Sequence, residues 1–173
     1  MGLFSGLFHK DAPAPEAPAG PKTLTVVAPV DGVYKPVEEV PDDTFAAKIL
    51  GDGFGVTPTS GTVVAPVSGT VTTVANAKHA VGITTEGGVE VLVHIGVDTV
   101  QLKGEPFDML VAAGQQVTAG KPIERVDVQA VKDAGKPTDV IVVFTNPDAI
   151  TSLDLDASGT VAAGQTVGTM TVK

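Results

Sequence analysis

The chain contains no cysteine. Disulfides, thiol nucleophiles and thiolate-bound metals are excluded at once, and a reducing compartment is permitted. Basic charge is also scarce: 11 Lys and Arg stand against 20 Asp and Glu, a formal net charge of −9. Without a basic cluster the chain is a poor ligand for nucleic-acid backbones or anionic lipid, while a basic protein partner would be steered toward it. No apolar run reaches the ~18 residues that a membrane-crossing helix needs. The first residues lack the basic and long apolar regions of a secretory signal, so the sequence reads as cytoplasmic. Helix-period stripes are few. There is no Ser-His-Asp arrangement, Gly-rich phosphate loop or HExxH motif.

What is present is punctuation. The 173 residues, enough for one domain with a core, include 20 Gly and 13 Pro. Short Val- and Thr-rich runs sit between them: Leu24–Pro29, Gly32–Pro36, Gly53–Pro58, Gly61–Pro66, Gly69–Val74, His79–Thr85, Val89–Val97, Val117–Thr118, Pro122–Asp127, Asp139–Thr145, Gly159–Val161 and Gln165–Val172. Strands this short at this spacing predict an all-β antiparallel sandwich or barrel. Helix is confined to Asp127–Asp133 and a turn or two within Asp42–Leu50. Residues 1–22 form a tail with an Ala/Pro-rich linker, and 23–173 form the domain. Leu3, Phe4, Leu7 and Phe8 give the tip one apolar face, too short to stand alone as a helix and at most a weak membrane anchor; His9 beside it is inert. Two motifs repeat: Ala28-Pro29-Val30 returns as Ala65-Pro66-Val67, and Val111-Ala112-Ala113-Gly114-Gln115 as Val161-Ala162-Ala163-Gly164-Gln165.

The most apolar run, Val89–Val100, carries His94. His79 lies upstream across Glu86-Gly87-Gly88. As a hairpin with Gly87-Gly88 in a two-residue turn, His79 lies opposite Gly96 and His94 opposite Val81, diagonal neighbours on one face. A turn at Glu86-Gly87 would set the histidines face to face, and a three-residue turn would split them between faces. Gly-Gly suits the positive φ of tight turns and favours the first register. Diagonal neighbours are roughly 7–8 Å apart, within reach of one small anion or metal ion. Neutral imidazole can attack a phosphoryl donor near pH 7, and a second imidazole can stabilise the charge delivered. Zinc held by two histidines and a carboxylate, or two buried structural histidines, fit the same geometry.

The stretch Val93-His94-Ile95-Gly96-Val97-Asp98-Thr99-Val100-Gln101-Leu102-Lys103-Gly104 resembles the signature of the glucose-type enzyme IIA domains of the bacterial phosphoenolpyruvate-dependent sugar phosphotransferase system. Val40-Pro41-Asp42, Phe45-Ala46, Lys48–Gly53, Ala65–Thr70, His79–Ile83 and Thr145–Asp148 are similar to other blocks of that family. The resemblance implies an antiparallel β-sandwich that takes a phosphoryl group from the phosphocarrier HPr on His94, with His79 as stabiliser. It implies delivery to the IIB domain of a glucose-type permease, and regulation of permeases, glycerol kinase and adenylate cyclase. It also implies zinc bound by His79 and His94 together with a partner's carboxylate, with no cofactor otherwise required. Phe45, Ile49, Leu50, Val81 and Val100 are expected as an exposed apolar patch, with Asp42, Asp43 and Asp98 as an acidic rim and Lys103 near the anion. The chain departs from the family at Ala77, where some members carry a threonine that supports the histidines, and at Ala75, Val81 and Leu92, where enteric members carry phenylalanine. A biotinyl- or lipoyl-type carrier, suggested by the repeated turns, lacks the lysine-bearing hairpin tip it needs. A purely regulatory module without chemistry is the remaining alternative.

Overall fold

Glycine and proline cut the chain into strands too short to be stable singly, so the chain pairs them. The computed structural model describes residues 21–173; the apolar tip, His9 and the linker up to Gly20 lie outside the described residues. The strands are β1 (Lys22–Val27), β2 (Gly32–Pro36), β3 (Gly53–Pro58), β4 (Thr62–Val64), β5 (Gly69–Val74), β6 (Ala80–Thr84), β7 (Glu90–Ile95), β8 (Phe107–Met109), β9 (Gln116–Val117), β10 (Pro122–Val126), β11 (Val140–Phe144), β12 (Ile150–Leu155), β13 (Thr160–Val161) and β14 (Thr166–Val172). Two short helices, α1 (Asp43–Ala46) and α2 (Val128–Asp133), are joined by three single-turn 3₁₀ segments. The all-β expectation holds, and both helical fragments fall where expected. The first strand begins at Lys22, one residue inside the predicted linker.

Every pairing is antiparallel. Eight strands form one sheet, β13-β2-β3-β11-β7-β6-β5-β9, and two three-stranded sheets, β1-β14-β12 and β4-β10-β8, complete the fold. Alternation gives the large sheet two unlike faces. Phe54, Val56, Val81, Ile83, Val91, Val93, Ile95, Val140, Val142 and Phe144 point into the main core. The opposite face carries a smaller cluster of Val37, Val40, Phe45, Val97, Ile141 and Val143, with Leu92 against it. Register aligns Lys35, Gly55, Ile141, His94 and Ala80 in one cross-strand row on that second face.

The small cluster explains how a four-residue helix persists. Alone, α1 could not pay its nucleation cost. Asp42 caps it, its Oδ1 accepting from Thr44 N at 2.9 Å and Phe45 N at 3.1 Å. Burial of the Phe45 ring, worth about 1.5–3 kcal/mol, fixes it to the sheet. A Cβ at Gly55 would lie 2.9 Å from Val40 Cγ2, so the glycine leaves the space that Val40 fills.

Candidate functional site

His94 sits in β7 between two neighbours, facing Ile141 of β11 and Ala80 of β6. The hairpin turn is the three-residue Glu86-Gly87-Gly88, closed by Thr85 N to Val89 O at 2.9 Å. The expected two-residue turn is therefore incorrect. Only Gly88 uses a positive φ, +81°. Gly87 is glycine for another reason: a Cβ there would meet Val172 Cγ2 at 2.6 Å.

Strict alternation in this register would send His79 to the far face of the sheet. It does not, because His79 precedes the strand. The β5–β6 loop closes through Ala75 N to Ala80 O (3.0 Å) and Lys78 N to Ala75 O (2.8 Å), with Lys78 at φ +61°. That kink frees the His79 side chain from the pleat while its carbonyl accepts from Ile95 N at 2.8 Å. The two imidazoles meet edge to face, ring centroids 5.2 Å apart and planes at 79°. The two imidazoles thus lie together through a kink and not through strand alternation.

The rings are held unequally. His94 Nδ1 lies 2.7 Å from Gly96 O. A carbonyl only accepts, so Nδ1 carries the proton and the Nε2 lone pair is free. Gly96 stands at φ +76°, and a Cβ on it would lie 2.3 Å from Thr99 Cγ2 and 3.0 Å from Pro137 O. Thr99 is buried, and its hydroxyl bonds back to Ile95 O. Phe45 covers the other side of His94, ring centroids 5.1 Å apart. His79 Nδ1, by contrast, is buried with no hydrogen-bond partner among the described residues. No hydroxyl is available from Ala77, two residues before it.

Both histidines titrate below the usual imidazole range. Burial is the main cause for each. For His94 the Gly96 carbonyl opposes the shift, the neighbouring His79 adds to it, and Asp42 and Asp98 oppose it. The downward shifts favour the neutral form of both rings at pH 7.

The other expected site residues separate into three groups. Ile49, Leu50 and Val100 are exposed, by 71%, 40% and 51%, as an apolar docking surface requires. Val81 is fully buried and belongs to the main core, because it faces Val93 on the inner side of the hairpin; its place in an exposed patch is corrected. Phe45 is 6% exposed, a wall of the site and not part of its open rim. Asp42 and Asp98 act on the His94 charge, while Asp43 is exposed in the first turn of α1 and is not among the charges that do so. Lys103 is exposed and ends the 3₁₀ turn that begins at Thr99. Sequence reasoning missed an open cleft of about 400 Å³ that starts at Ala80, the residue facing His94. Its lining includes Thr72, Ala75, Gly82, Thr84 and Leu92. The small side chains at Ala75, Ala80 and Gly82 were the available signal.

The hairpin that carries His94 is locked from outside. Asn146 Nδ2 donates to Gly88 O at 2.8 Å, and its Oδ1 accepts from Glu90 N at 2.7 Å. This gives the Thr145-Asn146-Pro147 stretch its structural task. Residues 24–150 match the signature of the phosphoenolpyruvate-dependent sugar phosphotransferase system, EIIA 1 family.

The chain belongs to that family. It is a phosphocarrier component of a sugar phosphotransferase system and hence a transferase. The glucose-specific EIIA component of Halalkalibacterium halodurans is 42% identical over 164 residues, 95% of this chain and 95% of that protein. The corresponding component of Staphylococcus aureus is 40% identical over 145 residues, 84% and 87% of the two chains. The glucose-specific EIICBA component of Streptococcus pneumoniae is 50% identical over 141 residues, 82% of this chain but 19% of that longer protein. The glucose permease IIA from Mycoplasma capricolum superposes with a TM-score of 0.79 at 40% identity, covering 86% of this chain and 96% of that one. No helix among the described residues is long and apolar enough to cross a membrane.

Proposed function

We propose that His94 Nε2 accepts the phosphoryl group from phospho-HPr and passes it to the IIB domain of a glucose-type permease, in the cytoplasm. The observation that carries this reading is the unequal pair: His94 has its Nδ1 committed to Gly96 O, and His79 stands edge-on 5.2 Å away. In the forward step the Nε2 lone pair forms the new N–P bond as the bond to the HPr nitrogen breaks. HPr keeps that electron pair. The group arrives with nearly two negative charges, and an N–H from His79 stabilises them without rearrangement. Transfer to IIB reverses the same bond. The Gly96 carbonyl holds the His94 ring through both steps.

Docking falls to Ile49, Leu50 and Val100, rimmed by Asp42, Asp43 and Asp98. A basic rim on either partner would speed encounter with a chain of this net charge. The same surface is open to regulatory targets such as permeases or glycerol kinase. Zinc is a separate matter. His79 and His94 supply two of the four ligands a tetrahedral ion takes, and among the described residues no group of three His, Cys, Asp or Glu gathers to hold a metal. The chain alone does not fit zinc; a carboxylate from a partner would have to complete the site.

The test is incubation with phosphoenolpyruvate, enzyme I and HPr, followed by mass spectrometry. Wild type gains one acid-labile phosphoryl group and His94→Gln gains none. His79→Gln is labelled but passes the group on poorly. A labelled His94→Gln, or an unlabelled wild type in a mixture that labels a known member, overturns the assignment.

A further inference from the structure

His94 hangs on one carbonyl, and the structure shows what holds that carbonyl in turn. Gly96 accepts from His94 Nδ1 and donates its own N–H to Asp139 O at 2.8 Å. Val97 N donates to Pro137 O at 3.1 Å. The segment just before β11 is thus the template on which residues 96 and 97 lie. The space beside Gly96 Cα is filled by Thr99 and the Pro137 carbonyl, so this peptide has one seat.

Asp139 anchors the template. It is 4% exposed, and its carboxylate is gripped by side chains from two other strands. Lys35 Nζ, from β2, reaches its oxygens at 3.3 and 3.2 Å. Thr57 Oγ1, from β3, donates to Oδ1 at 2.9 Å. Lys35 stands in the same cross-strand row as His94, with Gly55 and Ile141 between. A Cβ at Gly55 would lie 3.3 Å from Lys35 Cγ, so the glycine clears the path of the lysine stem. A buried ion pair is poor evidence of stability, since apolar residues of similar volume often serve as well or better. What such a pair supplies is direction: three contacts from two strands determine where the Asp139 backbone points.

We propose that Lys35, Thr57 and Asp139 form a positioning relay that fixes the Gly96 carbonyl and, through it, the tautomer and ring orientation of His94. The inference rests on the reading of His94 as the phosphoryl carrier. With the relay in place the proton stays on Nδ1 and Nε2 keeps its lone pair. When it is released, the Gly96 peptide can tilt, the proton divides between the two ring nitrogens, and the Nε2–H form cannot attack. None of the three residues touches the phosphoryl group; they act through the backbone.

The experiment uses the full chain with the substitutions Asp139→Asn, Lys35→Met and the two combined. Lys35→Met leaves the buried Asp139 carboxylate without its charged partner and can lose the fold, while Asp139→Asn leaves a half-buried ammonium unpaired. The double variant leaves none and decides the matter. Long-range proton–nitrogen NMR reads the His94 tautomer with no phosphoryl donor present, and steady-state transfer from phospho-HPr reads kcat and KM. The folded double variant is expected to show a mixed tautomer where wild type shows Nδ1–H alone. Its kcat should fall about tenfold with KM held within about twofold, because orientation is lost and docking is not. A folded double variant with the wild-type tautomer and wild-type kcat overturns the relay, as does a loss confined to KM. The carrier assignment fails separately, by labelling of His94→Gln, and leaves the tautomer result standing.

Discussion

At the paired Ala-Pro-Val turns the left-handed backbone positions belong to glycine, whereas around the histidines four of them belong to lysine and aspartate. The turns close on each other mainly through backbone, with Asp31 Oδ1 accepting from Ala163 N at 2.7 Å and Ser68 Oγ from Ala119 N at 2.9 Å. Val27 N donates to Pro66 O at 2.9 Å and Val64 N to Pro29 O at 2.7 Å. Ala28 N reaches Gln165 O and Ala65 N reaches Lys121 O, both at 2.8 Å. Gly120 and Gly164 take the positive φ angles there, with no atom nearer than 4.0 Å to a Cβ at either. Near the histidines the positive φ falls on Lys48, Lys78, Asp98 and Lys103, the complete set of such non-glycine residues among those described. Lys48 follows the helix that carries Phe45, Lys78 precedes His79, and Asp98 and Lys103 bound the turn after His94. Each costs about 1 kcal/mol relative to glycine. The repeated turns are relaxed scaffold, and the strain is concentrated where the rings must be aimed.

The largest expected effect sets one glycine of each region against the other. Gly96→Ala puts a methyl 2.3 Å from Thr99 Cγ2 at a positive φ. It should cost roughly 3 kcal/mol or more and release the His94 ring, so that phosphoryl acceptance collapses. Gly164→Ala has the same sign of φ with open space around it and should cost about 1 kcal/mol, with labelling unchanged. Urea unfolding and phosphoryl labelling of both variants read the difference. Equal costs would erase the distinction between the regions.

That asymmetry also marks what the sequence could disclose. Strand positions followed from Gly and Pro spacing, and the fragment Asp127–Asp133 coincides with α2, which the structure shows capped by Asp127 Oδ1 accepting from Ala130 N at 3.0 Å. Two strands escaped. β8 has three residues, too few to show a period. β12 is interrupted by an irregular register between Ile150 and Ser152, which breaks its alternation. The histidine pair was legible, but the turn that joins its hairpin was misread, because Gly87 answers to Val172 and not to turn geometry. The Lys78 kink that saves the pairing has no local signature, since lysine seldom takes that conformation. Burial of Val81 was in the alternation all along, once the register is known.

The second effect belongs to a residue between the regions. Glu124 lies in β10, paired with β4 near the repeated turns and with β8 on the other side. It is fully buried, and neither carboxylate oxygen has a partner among the described residues. Burial pushes its pKa up from 4.5 to about 8; Lys78, beside His79, opposes the shift and Asp108 adds to it. A carboxyl whose folded pKa is raised costs nothing below its unfolded value. Its penalty grows as pH climbs from there toward about 8, because the unfolded chain ionises first. The Glu124 contribution to stability should therefore decline across pH 4.5 to 8, with a slope reaching about 1.4 kcal/mol per unit. Glu124→Gln should flatten that decline. The two histidines, whose folded pKa values are lowered, give the opposite slope up to their unfolded value. The readout is therefore the difference between wild type and Glu124→Gln; a difference that does not change across this window would show that the carboxyl is not held neutral.

The smallest effect tests the strain directly. Lys78→Gly removes a Cβ from a residue at φ +61°. If the kink is strained, the variant should be more stable by about 1 kcal/mol, a rise of about 2–4 °C in Tm for a chain of this size. Its His79 should be less well aimed, so transfer to the IIB acceptor slows several-fold while acceptance on His94 changes less. Lys78→Met separates the loss of charge from the loss of the constraint, since it keeps the Cβ and discards the ammonium whose charge opposes the Glu124 shift. A gain in stability with Gly but not Met, joined to slower transfer with Gly, ties the strain to function. A Lys78→Gly protein that is less stable than wild type would place Lys78 with the relaxed turns, and the contrast between the two regions would then rest on Lys48, Asp98 and Lys103 alone.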